Sequence, residues 1–195
     1  MKRNIFEWLL ALLIGVVIAL LLTTFVGSRY SVSGNSMDPT FKDKNELIIN
    51  KLAVPFHTIN RGDVIVFHAS KDKDYIKRLI GKPGDEVKYK KDKLYINGKY
   101  VKESYLTANK DKRITKYLTE NFNVSELKHS NGKKKIPKNK YLVLGDNRLI
   151  SNDSRRDLGL IDKDDIVGKV FVRILPIKDF KFNFYSNDFD KVNGK

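Results

Sequence analysis

Ser33-Gly34-Asn35-Ser36-Met37-Asp38-Pro39-Thr40 begins a few residues after a long apolar run. Ser, Gly, Asn, Asp and Pro are the usual turn formers, so by itself the stretch reads as a turn. A Gly two places before Ser36 and a Pro three places after it make a bend that presents the hydroxyl instead of spending it on a helix cap. Two later stretches give that serine a second reading. One is a lysine within Tyr75-Ile76-Lys77-Arg78, and the other is a polar box from Gly145-Asp146-Asn147 to Ser154-Arg155. Serine with lysine is one of the variants of the hydrolytic triad. How the bend is read therefore decides whether the strand-like text beyond it is a plain domain or the scaffold of a site.

Upstream lies Trp8–Val26, WLLALLIGVVIALLLTTFV, without a charge. As a helix at ~1.5 Å per residue it would span about 28 Å, close to a ~30 Å hydrocarbon core. Lys2 and Arg3 precede it, which predicts a cytoplasmic N-terminus and a single pass that carries the rest across. The competing reading is a cleaved signal peptide, with small residues at Val26-Gly27-Ser28. The run exceeds the usual ~7–15 apolar residues of such a peptide, which favours a permanent anchor.

Downstream the text changes to short strands. Glu46–Lys51 is one, and Val64–Phe67 is a continuous apolar one opened by Arg61-Gly62-Asp63. The RGD triplet invites an adhesion reading; a turn opening a buried strand is the simpler one. Tyr75–Ile80 follows, and alternation sets Lys77 on the face of Tyr75 and Leu79, with Ile76, Arg78 and Ile80 opposite. Pro83-Gly84-Asp85 closes it as a turn. Leu94–Ile96, Asn97-Gly98 and Lys99–Val101 form a hairpin pattern. Lys102 to about Lys140 is polar, lysine-rich and weakly periodic, with residues 114–127 open between a short helix and irregular strands. Tyr141–Leu144 and Val167–Leu175 are the last strong strands. The tail from Lys178, rich in Phe and polar residues, reads as loosely ordered. The expected division is a cytoplasmic N-terminus (1–7), an anchor (8–27), a core in two parts (28–85 and 141–177), an inserted lobe (86–140) and a C-terminal tail (178–195).

The chain of 195 residues carries 38 Lys and Arg against 23 Asp and Glu, a net charge of +15. That balance suits an anionic partner, although most of the lysines are interleaved with acids and read as solvated faces. There is no cysteine, which excludes disulfides, thiolate zinc sites and a thiol nucleophile. No HExxH, GxGxxG or Walker A pattern occurs, and no His/carboxylate cluster has metal-ligand spacing. No metal or cofactor is expected. The aromatics form no nucleic-acid-binding motif, so no nucleic-acid partner is expected.

Amide hydrolysis needs a nucleophile, an unprotonated base and donors for the oxyanion. Ser36 supplies a hydroxyl. A free lysine at ~10.4 would be protonated at neutral pH, but apolar burial disfavours the charged form. The neighbours of Lys77 fit that condition, while a lysine with its stem on a sheet and its ammonium in water is the ordinary alternative. His57, His68 and His129 are rival bases, and none lies in a stretch as dense in turn and polar residues. The polar box is either a long loop held by its own side chains or a wall of donors and acceptors able to orient an amine.

SGNSMDPT, YIKRLIGKPGD and GDNRLISNDSR, in that order and with RGDVIVF between the first two, resemble the type I signal peptidases. These are membrane-anchored Ser–Lys proteases of the S26 kind, and the single span and compact size are similar to Gram-positive members. The likeness covers Ser33 to about Arg155 apart from Glu86–Lys140. It implies a mostly β fold: an N-terminal transmembrane helix, then an antiparallel β-sheet catalytic core with an inserted smaller β-rich lobe. It implies Ser36 as acylating nucleophile, Lys77 as general base and Ser151 as the hydroxyl that orients the lysine amine. Asp146, Asp153, Arg78 and Arg155 match supporting polar positions, and the Ser36 N–H would serve the oxyanion. Many relatives have a serine two places before the nucleophile; here Gly34 stands there. The implied partners are the lipid bilayer and secretory preproteins, cut after small residues on the extracytoplasmic face. The alternative from another class is a membrane-tethered basic domain that binds wall polymer or another polyanion.

Overall fold

The computed structural model describes residues 2–21 and 27–194 of the chain. Helix α1, Lys2–Leu21, opens it. Apart from Glu7, its described side chains are apolar, and all are exposed, Trp8 at 78 %. Among the described residues no helix is long and apolar enough to cross a membrane. The last part of the expected span, residues 22–26, lies outside the described residues.

The strands, in chain order, are β1 Gly27–Ser31, β2 Glu46–Asn50, β3 Val64–Ser70, β4 Lys73–Gly81, β5 Val87–Lys90, β6 Lys93–Ile96, β7 Lys99–Val101, β8 Phe122–Asn123, β9 Lys140–Leu144, β10 Ile161–Asp162, β11 Ile166–Leu175 and β12 Lys181–Phe182. They form a large sheet in the order β1-β2-β11-β3-β4-β9-β10, with β12 beside β11, and a smaller one in the order β7-β6-β5-β8. Every pairing between these strands is antiparallel.

The continuous apolar run of β3 follows from its place in the middle of the large sheet. Alternation sends Val64 and Val66 to one face, against Phe41, Leu47 and Val170. It sends Ile65 and Phe67 to the other, against Leu79, Val143 and Ile166. With both faces covered, no polar residue interrupts Val64–Phe67, and polar residues return at His68 and Ser70, where the strand is exposed. The RGD triplet just before it is structural. Arg61 is paired with Asp85 at 2.6 Å, and Asp63 accepts the Asn60 N–H at 2.7 Å. Gly62 has φ +92°, and a Cβ there would meet the Phe189 ring at 2.8 Å, so only glycine fits.

Asn97 and Gly98 join β6 to β7 with φ of 51° and 77°, the left-handed pair that a two-residue hairpin turn needs. The small sheet has no core of its own. Tyr89, Leu94, Ile96 and Phe122 pack in one cluster with Ile80, Leu142, Leu144 and Phe189. Between β7 and β8 comes a short helix α2, Thr107–Asp111, which buries no residue. Residues 114–127 resolve into a loop, β8 and a single turn, Val124–Glu126, capped by Asn123.

The tail differs from expectation. It is pinned: Phe184 and Phe189 are buried, and α3, Asp190–Asn193, closes it with Gly194 as its cap. Arg78 donates to Phe184 O at 2.9 Å, and Arg61 donates to Val192 O at 3.1 Å. Its order comes from isolated phenylalanines and from arginines far away in sequence. Neither leaves a periodic pattern to read.

Candidate active site

Ser36 opens a turn whose underside is apolar. Met37 and Phe41 are fully buried below it, the Asp38 N–H donates to Asn35 O and the Phe41 N–H to Met37 O. The hydroxyl is left on the upper side. Gly34 has φ +83°, and its N–H donates to Asp43 Oδ1 at 2.8 Å, which fixes the approach to the turn.

Lys77 reaches the same spot from β4. Its Nζ lies 2.8 Å from Ser36 Oγ and 3.1 Å from Ile76 O. It also sits 5.0 Å from the centre of the Tyr75 ring, on the face that alternation assigns to it. Only 3 % of the residue is exposed. Burial pulls its pKa down to about 8, against the opposing pull of the Asp153 and Asp146 carboxylates. A usable fraction of the amine is therefore neutral near physiological pH.

The polar box forms the far wall. Asp146 is fully buried and takes Arg78 with both oxygens, Nε to Oδ1 at 2.9 Å and Nη2 to Oδ2 at 2.7 Å. The Thr40 hydroxyl donates to the same carboxylate. Asp153 accepts from Gly145 N at 3.0 Å and from Arg155 Nε and Nη2, both at 2.9 Å. Burial pushes the Asp153 carboxyl up, but the bonds and charge of Arg155, with the Gly145 N–H and the Ser151 hydroxyl, together outweigh this and hold it below the usual range. Gly145 allows a close approach: a Cβ there would stand 2.2 Å from Ser151 Oγ and 2.5 Å from Ser36 O. Asn147 N–H then donates to Ser36 O at 3.0 Å.

Ser36, Lys77, Arg78, Asp146, Asp153, Arg155 and Ser151 are thus brought together. Ser151 is buried beside the pair; its hydroxyl faces the Asp153 carboxylate, which it helps to keep charged, and it makes no hydrogen bond to Lys77. Besides Ser36 Oγ, the amine's acceptor is the carbonyl of Ile76. None of the histidines bonds to Ser36: His68 pairs with Asp74 at 2.6 Å and His129 with Leu160 O at 3.1 Å, while His57 is exposed.

Sequence reasoning passed over Arg148. This fully buried guanidinium donates to Gly145 O, Tyr89 OH, Thr119 Oγ1, Glu103 Oε1 and Tyr105 OH. It clamps the polar box to the small sheet. An arginine inside the box is the signal; its partners, dispersed between residues 89 and 119, are not recognisable from spacing.

A cleft of roughly 600 Å³ leads to the pair, lined by Tyr30, Val32, Met37, Tyr75, Ile76 and Ile150 among others. Along it, β4 pairs with β3 from Lys73 onward but with β9 only from Arg78 onward, so residues 73–77 keep one backbone edge unpaired by a strand. A hydroxyl, a buried amine and an open strand edge together suit attack on an extended peptide.

The sequence profile described as "Signal peptidase, peptidase S26" matches residues 5–175. The chain belongs to the S26 signal peptidase family. It is 46% identical over 185 residues to "Signal peptidase IB" of Staphylococcus aureus, covering 94% of this chain and 96% of that one. It is 47% identical over 171 residues to "Signal peptidase I" of Bacillus caldolyticus, covering 88% and 92%. Among solved structures, a signal peptidase I from Enterococcus faecalis matches with a TM-score of 0.52 and 35% identity, covering 57% of this chain and 95% of that one. Membership of the S26 signal peptidases makes this chain a serine endopeptidase, and the antiparallel core matches that of a solved relative.

Proposed function

We propose that this S26 peptidase removes N-terminal signal peptides from secreted preproteins, with Ser36 as nucleophile and Lys77 as general base. The observation that carries the reading is the 2.8 Å contact between Ser36 Oγ and a buried lysine amine at the end of a cleft. The preprotein lies extended along the open edge of β4, its small side chains fitting shallow pockets where larger ones clash. Neutral Lys77 takes the Ser36 proton as Oγ attacks the scissile carbonyl. The Ser36 N–H donates to the oxyanion; Gly34 offers no side-chain donor, and its own N–H is engaged by Asp43. The lysine then passes its proton to the leaving amine, which frees the mature protein and leaves an acyl-serine. Water, deprotonated by the same lysine, releases the signal peptide.

Arg78 with Asp146, and Arg155 with Asp153, hold the wall in this reading, and Ser151 stands ready to orient the amine. Trp8–Val26 anchors the enzyme in a single pass, with the N-terminus cytoplasmic and the catalytic part on the extracytoplasmic face of the cell membrane. The uncharged sequence, Lys2 and Arg3 ahead of it, and the exposed apolar side chains of α1 support that anchor. Residues 28–85 and 141–177 then make the catalytic core and 86–140 the inserted lobe.

The test is purified Ser36→Ala enzyme on a preprotein in detergent. A folded variant without turnover is expected, since a turn serine contributes little stability. Cleavage at the wild-type rate would remove Ser36 from the mechanism.

A further inference from the structure

The side chain of Asn109 lies between two pieces of the site that are far apart in sequence. Its Nδ2 is 2.7 Å from Asp38 O, in the turn that begins with Ser36, and 2.9 Å from Asp146 O, at the head of the polar box. Both neighbours are carbonyl oxygens. Only the NH2 end of the amide can face them, and its two hydrogens serve one carbonyl each. Asn109 belongs to α2, which buries no residue, so this contact is not a by-product of core packing. The helix has its own moorings: Leu106 just ahead of it is buried, and Ser104 donates from its N–H and its Oγ to Asp188.

Lys77 sits on a strand paired within the large sheet, whereas Ser36 sits on a turn. The separation of the two depends on what the turn is tied to. The polar box grips it through Asn147, whose N–H and Nδ2 donate to Ser36 O at 3.0 Å and Asn35 O at 3.1 Å, and through Thr40 on Asp146. At Asp38, between these grips, the donor comes from the small-sheet segment.

We propose that Asn109 is a positioning residue for the Ser36–Lys77 pair. It staples the nucleophile's turn to the polar box and so sets Ser36 Oγ within reach of the amine. The inference rests on the assignment of Ser36 and Lys77 given above. It gives the small sheet a share in the reaction although none of its residues touches the reacting atoms.

Two variants test it in the full-length enzyme, assayed on a preprotein peptide. Asn109→Asp keeps the shape but sets a carboxylate oxygen against two carbonyls. Asn109→Leu removes both donors without adding charge. A nucleophile displaced by about an ångström loses on the order of a hundredfold in rate. We therefore expect kcat to fall roughly 10- to 100-fold in both variants with KM within about twofold, and Tm within a few degrees of wild type. Wild-type kcat in both variants overturns the proposal. So does a kcat loss that is matched by a large drop in Tm, or a change confined to KM. Ser36→Ala in the same assay separates the two levels: if it still cleaves, the nucleophile is wrong; if it is dead while both Asn109 variants are normal, only the staple is wrong.

Discussion

Lys77 Nζ and Ser36 Oγ stand 2.8 Å apart, the first on a nine-residue strand and the second on a turn. The lysine reaches the contact from inside the protein, with little of its surface left to water. Water removes one obstacle to its use as a base when it leaves, because the charged amine is the form that loses most by burial.

Activity should follow the neutral amine. With the lysine's pKa lowered by burial to about 8, turnover should climb as pH rises toward and through that value. Lys77→Arg keeps a positive charge that cannot be shed, so it should be about as inactive as Lys77→Ala. Kinetics of both variants across pH 6 to pH 10 decide this: a Lys77→Arg enzyme with substantial activity and an unchanged profile would end the general-base role.

The same burial should cost stability. The pKa is lower in the folded protein, so the unfolded chain binds the extra proton between about 8 and the ordinary 10.5. Stability then increases with pH across that window, and below it the native state carries the full burden of a buried charge. Lys77→Met, similar in length and uncharged, should raise Tm at pH 6 to pH 7, with the advantage shrinking as pH approaches 10. Thermal melts of both proteins at several pH values would expose the opposite trend.

The histidines should be dispensable for chemistry. His57 and His129 have φ of 54° and 66°, so asparagine is the tolerable replacement there, and alanine suffices at His68. The combined variant His57→Asn, His68→Ala, His129→Asn should keep kcat within a few-fold. A folded triple variant slowed a thousandfold would point to a histidine base.

Removing Arg148 should unsettle the fold more than any surface change. Its guanidinium pairs with Glu103 at 2.6 Å, and both are fully buried. Arg148→Met leaves an uncompensated carboxylate, a class of change that costs about 3–5 kcal/mol. Urea unfolding should show the loss, and the double variant Arg148→Met, Glu103→Gln, which removes the stranded charge and keeps the side-chain shape at a left-handed φ of 57°, should recover part of it. A single variant as stable as wild type would mean that the clamp contributes nothing.

What the sequence makes legible is local. The apolar run of β3, the Asn97-Gly98 turn and the face of Lys77 follow from period two and from turn chemistry acting over a few residues. The serine and the lysine are found because each lies in a short, dense motif. Asn109 has no such signal: one asparagine in a lysine-rich stretch acquires its meaning only when carbonyls 71 and 37 positions away close on it. The tail fails for the same reason, since its moorings are arginines more than a hundred residues earlier. Ser151 marks a different limit. A motif brings it to the right neighbourhood, but the direction of a hydroxyl is decided by packing around Gly145.

The unpaired edge at residues 73–77 of β4 has a cost besides its use. A bare strand edge is a template on which any extended segment can add, and proteins commonly guard such edges with charge. Here Lys71, Asp72, Lys73 and Asp74 stand at the mouth of that edge, and apolar Ile76 lies further in. A segment arriving in bulk meets alternating charges first, which discourages stacking of one enzyme molecule on another. Neutralising those four side chains should therefore show itself first in solubility, as self-association through the same edge that is proposed to take the peptide.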